Sequence, residues 1–248
     1  SFPDPHHPWD IPRSELHRVD WRDVPLPALY RTNATEREAL LAQKPKHWRG
    51  YYEGSLWTNL ESPREYVPRE MTADQLREIN AMTHIENELI DEACQRVFEQ
   101  LDAQGRLDNT DIIFTTDHGE LQGDFGLLFK GPYHVDALMR LPLIWKPAGN
   151  TQASSIAAPV GHLDLASTFC EIADIEVPDY CQGQPLPRTN AQAESQNRDC
   201  VLTEWDSEHG PIDMHLASIY EQSGWLATRY RESTLYDGSE GELYNMSE

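Results

Sequence analysis

The sequence predicts an α/β protein, with a layered α/β domain followed by a small antiparallel β subdomain. Three observations carry this reading. Apolar residues recur at three- and four-residue steps through residues 72–104, a β-branched and aromatic run follows directly, and beyond about residue 197 short apolar runs alternate with turn residues. Seven Trp, ten Tyr and a 39% hydrophobic content in 248 residues supply a sizeable core, in one large domain or two small ones, and exclude a disordered chain. With 42 acidic residues against 20 Lys plus Arg, the net charge of −22 excludes a nucleic-acid binder driven by phosphate contacts.

In chain order, residues 1 to about 70 are rich in Pro, Trp, Tyr, Arg and His with few periodic positions, which predicts an irregular, loop-dominated segment. Residues 72–104 predict one long amphipathic helix behind a capping-box-like Thr72-Ala73-Asp74-Gln75, with Leu76, Ile79, Met82, Ile85, Leu89, Cys94, Val97, Phe98 and Leu101 as its periodic apolar positions and Gly105 as its stop. The run 110–116 predicts a buried strand, parallel because it follows a helix. A long polar loop with four glycines, residues 117–133, follows at its carboxyl end, where open α/β sheets bind ligands. Residues 141–145 predict a second strand and residues 164–173 a helix with Asp164 near its start. Residues 201–205, 216–220 and 224–230 predict the strands of the antiparallel part.

Cys94, Cys170, Cys181 and Cys200 are widely spaced without a Cys-x-x-Cys pair, which predicts free thiols rather than a zinc cluster or disulfide framework. No apolar run approaches the roughly 20 residues that span a bilayer, so no membrane partner is expected. The start, Ser1-Phe2-Pro3-Asp4-Pro5, has neither the basic nor the apolar region of a signal peptide. A chain that starts at Ser and stops within a patterned run reads as a piece of something longer, so its compartment stays open between cytoplasmic and periplasmic or secreted.

Chemistry concentrates in Asp117-His118-Gly119-Glu120 and, beyond it, Lys130. A strand ending in Asp-His presents a carboxylate and an imidazole that can reach one divalent cation. The competing reading makes Asp117 a turn cap and His118 an ordinary polar residue. Lys130, inside the glycine-rich loop, suits an anionic group, although lone loop lysines are usually solvated. His6 and His7, stiffened by neighbouring prolines, can donate a proton to a leaving oxygen or lie on a surface loop. The aromatics Trp48, Tyr51, Tyr52 and Trp57 fit either a lid over an organic substrate or packing onto the core.

Five blocks occur in one order along nearly the whole chain. They are residues 2–8 around His6-His7-Pro8, residues 114–131 around Asp117-His118-Gly119 and Lys130-Gly131, residues 140–144 at Arg140-Leu141-Pro142, residues 162–168 at His162-Leu163-Asp164, and residues 241–244. Together they resemble the later part of the sulfatase family of the alkaline-phosphatase superfamily. The resemblance implies a partial alkaline-phosphatase-like α/β/α sandwich over residues 1–196 and a partial antiparallel β subdomain over residues 197–248. It implies hydrolysis of sulfate esters with a divalent cation, most often Ca2+, with Mn2+ and Mg2+ as alternatives. Asp117 and His118 inherit the metal-ligand role, Lys130 the sulfate contact, and His6 sulfate binding or protonation of the leaving alcohol. His7 is the substitute for His6, and His134 a substrate-pocket residue.

The family nucleophile is a formylglycine made from a Cys or Ser in a Cys/Ser-x-Pro/Ala-x-Arg motif. None of the four cysteines and no serine here stands in that motif, and the early acidic metal ligands of the family have no counterpart. The resemblance thus implies a sulfatase fragment whose nucleophile lies outside this chain, and which is inactive alone. A His after the strand-end Asp also resembles phosphonate monoester hydrolases and phosphodiesterases. A non-catalytic sulfated-ligand-binding protein is the third reading.

Overall fold

A computed structural model describes residues 1–56, 67–207 and 213–246. It divides into two compact units. The first comprises residues 1–110 and 119–138, the second residues 111–118 and 139 to the C-terminus, with residues 208–212 outside the described chain.

In the first unit the stretch before residue 70 is loop-dominated as expected, apart from two short helices, α1 (Ala34–Leu41) and α2 (Lys46–Tyr52). Each starts on a turn signal that outweighs the weak periodicity: the Asn33 side chain accepts from Thr35 N, and Pro45 precedes Lys46. The long helix α3 (Ala73–Ala103) forms as the spacing predicts. Its capping box is complete, with Gln75 N donating to Thr72 Oγ1 and Thr72 N to Gln75 Oε1. The apolar face is buried only in its first half, at Leu76, Ala81 and Ile85, whereas Val97 and Phe98 remain exposed. Arg18 ties the N-terminal segment to α3 through Glu88 and Glu92.

The aromatics of α2 pack the core rather than a lid. Trp48 is fully buried, edge-on to Phe125 at 4.9 Å and Tyr133 at 4.7 Å, and Tyr51 donates to Leu128 O. Each such aromatic pair adds about 0.5–1.5 kcal/mol beyond the buried area. Trp57 lies outside the described residues.

The second unit holds β1 (Ile112–Thr115) and β2 (Leu143–Lys146); the short helix α4 (Asp136–Met139), which comes between them in the chain, belongs to the first unit up to residue 138. The two strands pair antiparallel, Phe114 opposite Ile144, so the expected parallel pairing is corrected. Helix-to-strand succession implies parallel strands only where a crossover helix joins them, and here the intervening chain turns back on itself. The strands are also not fully buried: Phe114 and Ile144 are 41% and 64% exposed. Helix α5 (Leu163–Ile172) and the short α6 (Asn190–Ser195) follow.

A four-stranded meander closes the chain, β3 (Cys200–Ser207), β4 (Met214–Glu221), β5 (Trp225–Tyr230) and β6 (Gly241–Asn245), all antiparallel. Met214, Leu216, Leu226 and Tyr230 alternate onto its buried face, where the paired Ser218 and Thr228 hydroxyls satisfy each other at 2.7 Å. The four cysteines are free, as expected. Among the described residues no helix is long and apolar enough to cross a membrane.

Candidate active site

The loop after β1 is the largest departure from expectation. Predicted as polar, it is mostly core: Leu121, Phe125, Leu127, Leu128 and Phe129 are all buried. Its apolar residues lie between glycines without a period of two or 3.6, which hides them from pattern reading. Gln122, Phe125 and Phe129 adopt left-handed backbone angles, φ 46°, 60° and 68°. Such strain persists only where surrounding packing imposes it, and it clusters at binding sites.

That loop delivers Lys130. Its side chain is only 20% exposed, its Nζ lies 3.8 Å from Glu120 Oε2, and Nζ has no hydrogen-bond partner among the described residues. A buried ammonium held by one long ion pair is incompletely compensated, and an anionic ligand would complete it. Sequence reasoning gave Lys130 a role but quoted Glu120 only as the end of the Asp117-His118-Gly119-Glu120 motif, without a role of its own.

The N-terminal histidines reach the same loop within the first unit. His7 is buried, its ring edge-on to Phe129 at 4.5 Å, and Trp9 stacks on Phe129 at 5.8 Å, so the residue before Lys130 seats the His7-Pro8-Trp9 segment. His6 is exposed, stacks on His7 at 4.2 Å, and has its Nδ1 2.6 Å from His7 O. His134 is 4% exposed, and burial pushes it down to about 4, so it is a neutral imidazole near pH 7. His47, unassigned from sequence, is a second buried neutral histidine, held down at about 3 by burial although its Nε2 meets Pro132 O at 3.1 Å.

In the second unit, Asp117 and His118 follow directly on β1. Both functional atoms point to one side: His118 Nε2 lies 3.5 Å from Asp117 Oδ2. Asp117 Oδ1 accepts from His118 N at 3.0 Å and from Thr116 Oγ1 at 3.2 Å. Partial burial acts to raise the Asp117 carboxyl, but His118 and these hydrogen bonds outweigh it and hold it below the usual range. The side chain is 82% exposed and ionised near neutral pH. An oxygen and a nitrogen donor together fit part of a divalent-cation shell. Among the described residues no group of three or more His, Cys, Asp or Glu forms a complete one. Gly119 follows because nothing larger fits: a Cβ there would stand 1.9 Å from Ala137 O, and Gly119 N donates to Leu138 O.

The block at residues 162–168 proves architectural. Asp164 accepts from Gly161 N and Gln184 N and meets Arg198 at 2.8 Å, while Arg198 also donates to Gln184 O, Pro185 O and Gln196 Oε1.

Comparison with known proteins places this arrangement. The structure has the alkaline-phosphatase-like fold of a phosphonate monoester hydrolase from Silicibacter pomeroyi, with a TM-score of 0.79 and 21% identity over 98% of this chain and 48% of that one. A putative sulfatase from Bacteroides thetaiotaomicron matches with a TM-score of 0.64 over 90% of this chain. The Sulfatase family model matches residues 74–175, and that segment belongs to the sulfatase family. The uncharacterized sulfatase YidJ of Escherichia coli K12 is 31% identical over 187 residues, 75% of this chain and 33% of YidJ. A multifunctional alkaline phosphatase superfamily protein, PehA of Trinickia caryophylli, is 41% identical over 99 residues, 39% of this chain and 19% of PehA. The chain thus spans a third or less of the length of these curated relatives.

Proposed function

We propose that this chain is part of a divalent-cation-dependent sulfatase that hydrolyses sulfate esters through a formylglycine nucleophile carried outside residues 1–248. The observation that supports it most directly is the buried, incompletely compensated ammonium of Lys130, which suits a tetrahedral anion. Asp117 and His118 would hold the cation, which when bound withdraws charge from the ester oxygens.

The chain's own residues then do the following. Lys130 binds a sulfate oxygen, and its charge opposes the negative charge that develops as the S–O bond to the alcohol breaks. Glu120 fixes the ammonium through their ion pair. His6, with Nδ1 engaged at His7 O, binds the sulfate or protonates the leaving alkoxide through its imidazole, a step worth about 10²–10⁴ in rate. His7 holds His6 by stacking and is the substitute donor. His134 would contribute a neutral imidazole to the substrate pocket.

A second reading, hydrolysis of phosphonate monoesters or phosphodiesters, is favoured by the fold match to the phosphonate monoester hydrolase from Silicibacter pomeroyi and by the His that follows the strand-end Asp117. The deciding experiment assays the full-length protein on matched aryl sulfate and aryl phosphonate esters, with and without a chelator. Chelator-sensitive turnover with sulfate preferred, abolished in Asp117→Ala, is expected. Turnover unaffected by both the chelator and Asp117→Ala would refute the metal assignment. Residues 1–248 alone are expected to show no turnover.

A further inference from the structure

The second unit contains a cavity of about 890 Å³ between β2, the extended chain that follows it to residue 160, and residues 186–188. Its size falls in the range of small-molecule sites, roughly 300–1,000 Å³. None of the described residues lining it is acidic, although the chain carries 42 acidic residues. Lys146 and Arg188 supply positive charge, Asn150 and Ser154 supply amide and hydroxyl groups, and Ile144 and Trp145 supply an apolar wall.

The cationic side of the cavity is preorganised. Trp145 Nε1 donates to Asp111 Oδ1 at 2.9 Å, which fixes the indole. Arg188 lies over that indole at 4.7 Å and donates to Glu171 Oε1 at 3.2 Å, which sets the plane of the guanidinium. A planar, anchored guanidinium binds oxyanions in a defined geometry, at a lower ordering cost than a mobile one.

We infer that this cavity is an accessory binding site for a sulfated saccharide, with the sulfate on Arg188 and Lys146, the sugar hydroxyls on Asn150 and Ser154, and the ring face on Ile144 and Trp145. From the proposed activity the inference takes only the sulfate on the ligand. Two cationic side chains, one of them shared with Glu171, a lining without acidic residues and the hydroxyl-binding groups are properties of the cavity itself. In a chain of net charge −22, such a site is where an anionic sugar meets the least repulsion.

The test is calorimetric titration of the full-length protein with a hexosamine disaccharide bearing one sulfate ester, and with the same disaccharide lacking it. The sulfated sugar is expected to bind and the unsulfated one to bind at least about tenfold more weakly. Arg188→Gln is expected to weaken binding by at least about tenfold. Ser154→Trp, which fills the cavity from the exposed chain and leaves Arg188 in place, is expected to abolish binding and decides the matter if Arg188→Gln unfolds. Lys130→Met distinguishes this site from the candidate active site. Binding lost in Lys130→Met but kept in Arg188→Gln or Ser154→Trp would overturn the inference, as would equal binding of both sugars or no binding at about 10 mM. None of these readouts depends on hydrolysis, so failure here leaves the proposed activity standing, and the reverse.

Discussion

Two buried ion pairs, one in each unit, differ in how completely they are satisfied. Asp164 and Arg198 are less than a tenth exposed and meet at 2.8 Å, and each spends its remaining polar atoms on backbone or amide partners. Lys130 and Glu120 are about four-fifths buried and meet only at 3.8 Å, and the ammonium has no hydrogen bond among the described residues. The first pair has nothing left to offer a ligand. The second is what a fold leaves when a charge is positioned for something it does not itself provide. Lys130, Glu120 and Asp164 all fall within ordered sequence blocks of the family resemblance, and Arg198 does not, so sequence similarity alone does not tell architecture from chemistry; hydrogen-bond completeness does.

The largest effect that would break this comparison is on stability. Arg198→Met leaves the Asp164 carboxylate buried without its cation, and a loss of roughly 3–5 kcal/mol in urea unfolding is expected. A loss below about 1 kcal/mol would mean the pair is dispensable. Next, Gly119→Ala puts a methyl group into Ala137 O and is expected to cost about 1–3 kcal/mol, measured the same way.

Glu86 sharpens the contrast from the other side. It is 3% exposed, and burial followed by Asp4 and Asp10 pushes it up to about 7. A carboxyl with a raised folded pKa contributes its stability below its ordinary value of 4.5 and loses it as the pH climbs through about 7. Glu86→Gln is therefore expected to be near neutral at pH 4.5 and stabilising by about 1 kcal/mol at pH 8, read from thermal unfolding at both values. The smallest effect is expected at His215, which sits between Asp206 and Asp213 and is raised chiefly by its hydrogen bond to Asp206. Its contribution is complete below 6.5 and fades as the pH rises through the raised value, so the deficit of His215→Gln should shrink between pH 6 and 9.

The sequence displayed what depends on local period. The 31-residue helix α3 with its Thr72–Gln75 cap, and the alternating strands β4 and β5, follow from spacing alone. It did not display what depends on where the chain returns. The antiparallel pairing of β1 with β2 is set by the path of residues 116–142, and the partner of Asp164 lies 34 residues away. The buried loop 121–129 escaped because left-handed residues break any period. For the candidate site, the residue types were visible in the motifs. Their environments, such as the exposure of Asp117 and the burial of His7 against Phe129, arise only once packing is complete.

The most direct test of the distinction is Lys130→Met combined with Glu120→Gln in the full-length protein, with aryl sulfate hydrolysis and urea unfolding measured on the same preparation. Removing both members of an incompletely compensated pair leaves no carboxylate buried without its cation, so the unfolding free energy should be unchanged or slightly higher, while the hydrolysis rate falls about 10²–10³-fold, the usual effect of deleting one oxyanion-stabilising group. Unaltered hydrolysis accompanied by a stability loss of about 3 kcal/mol or more would contradict it, placing Lys130 with Arg198 among the architectural charges.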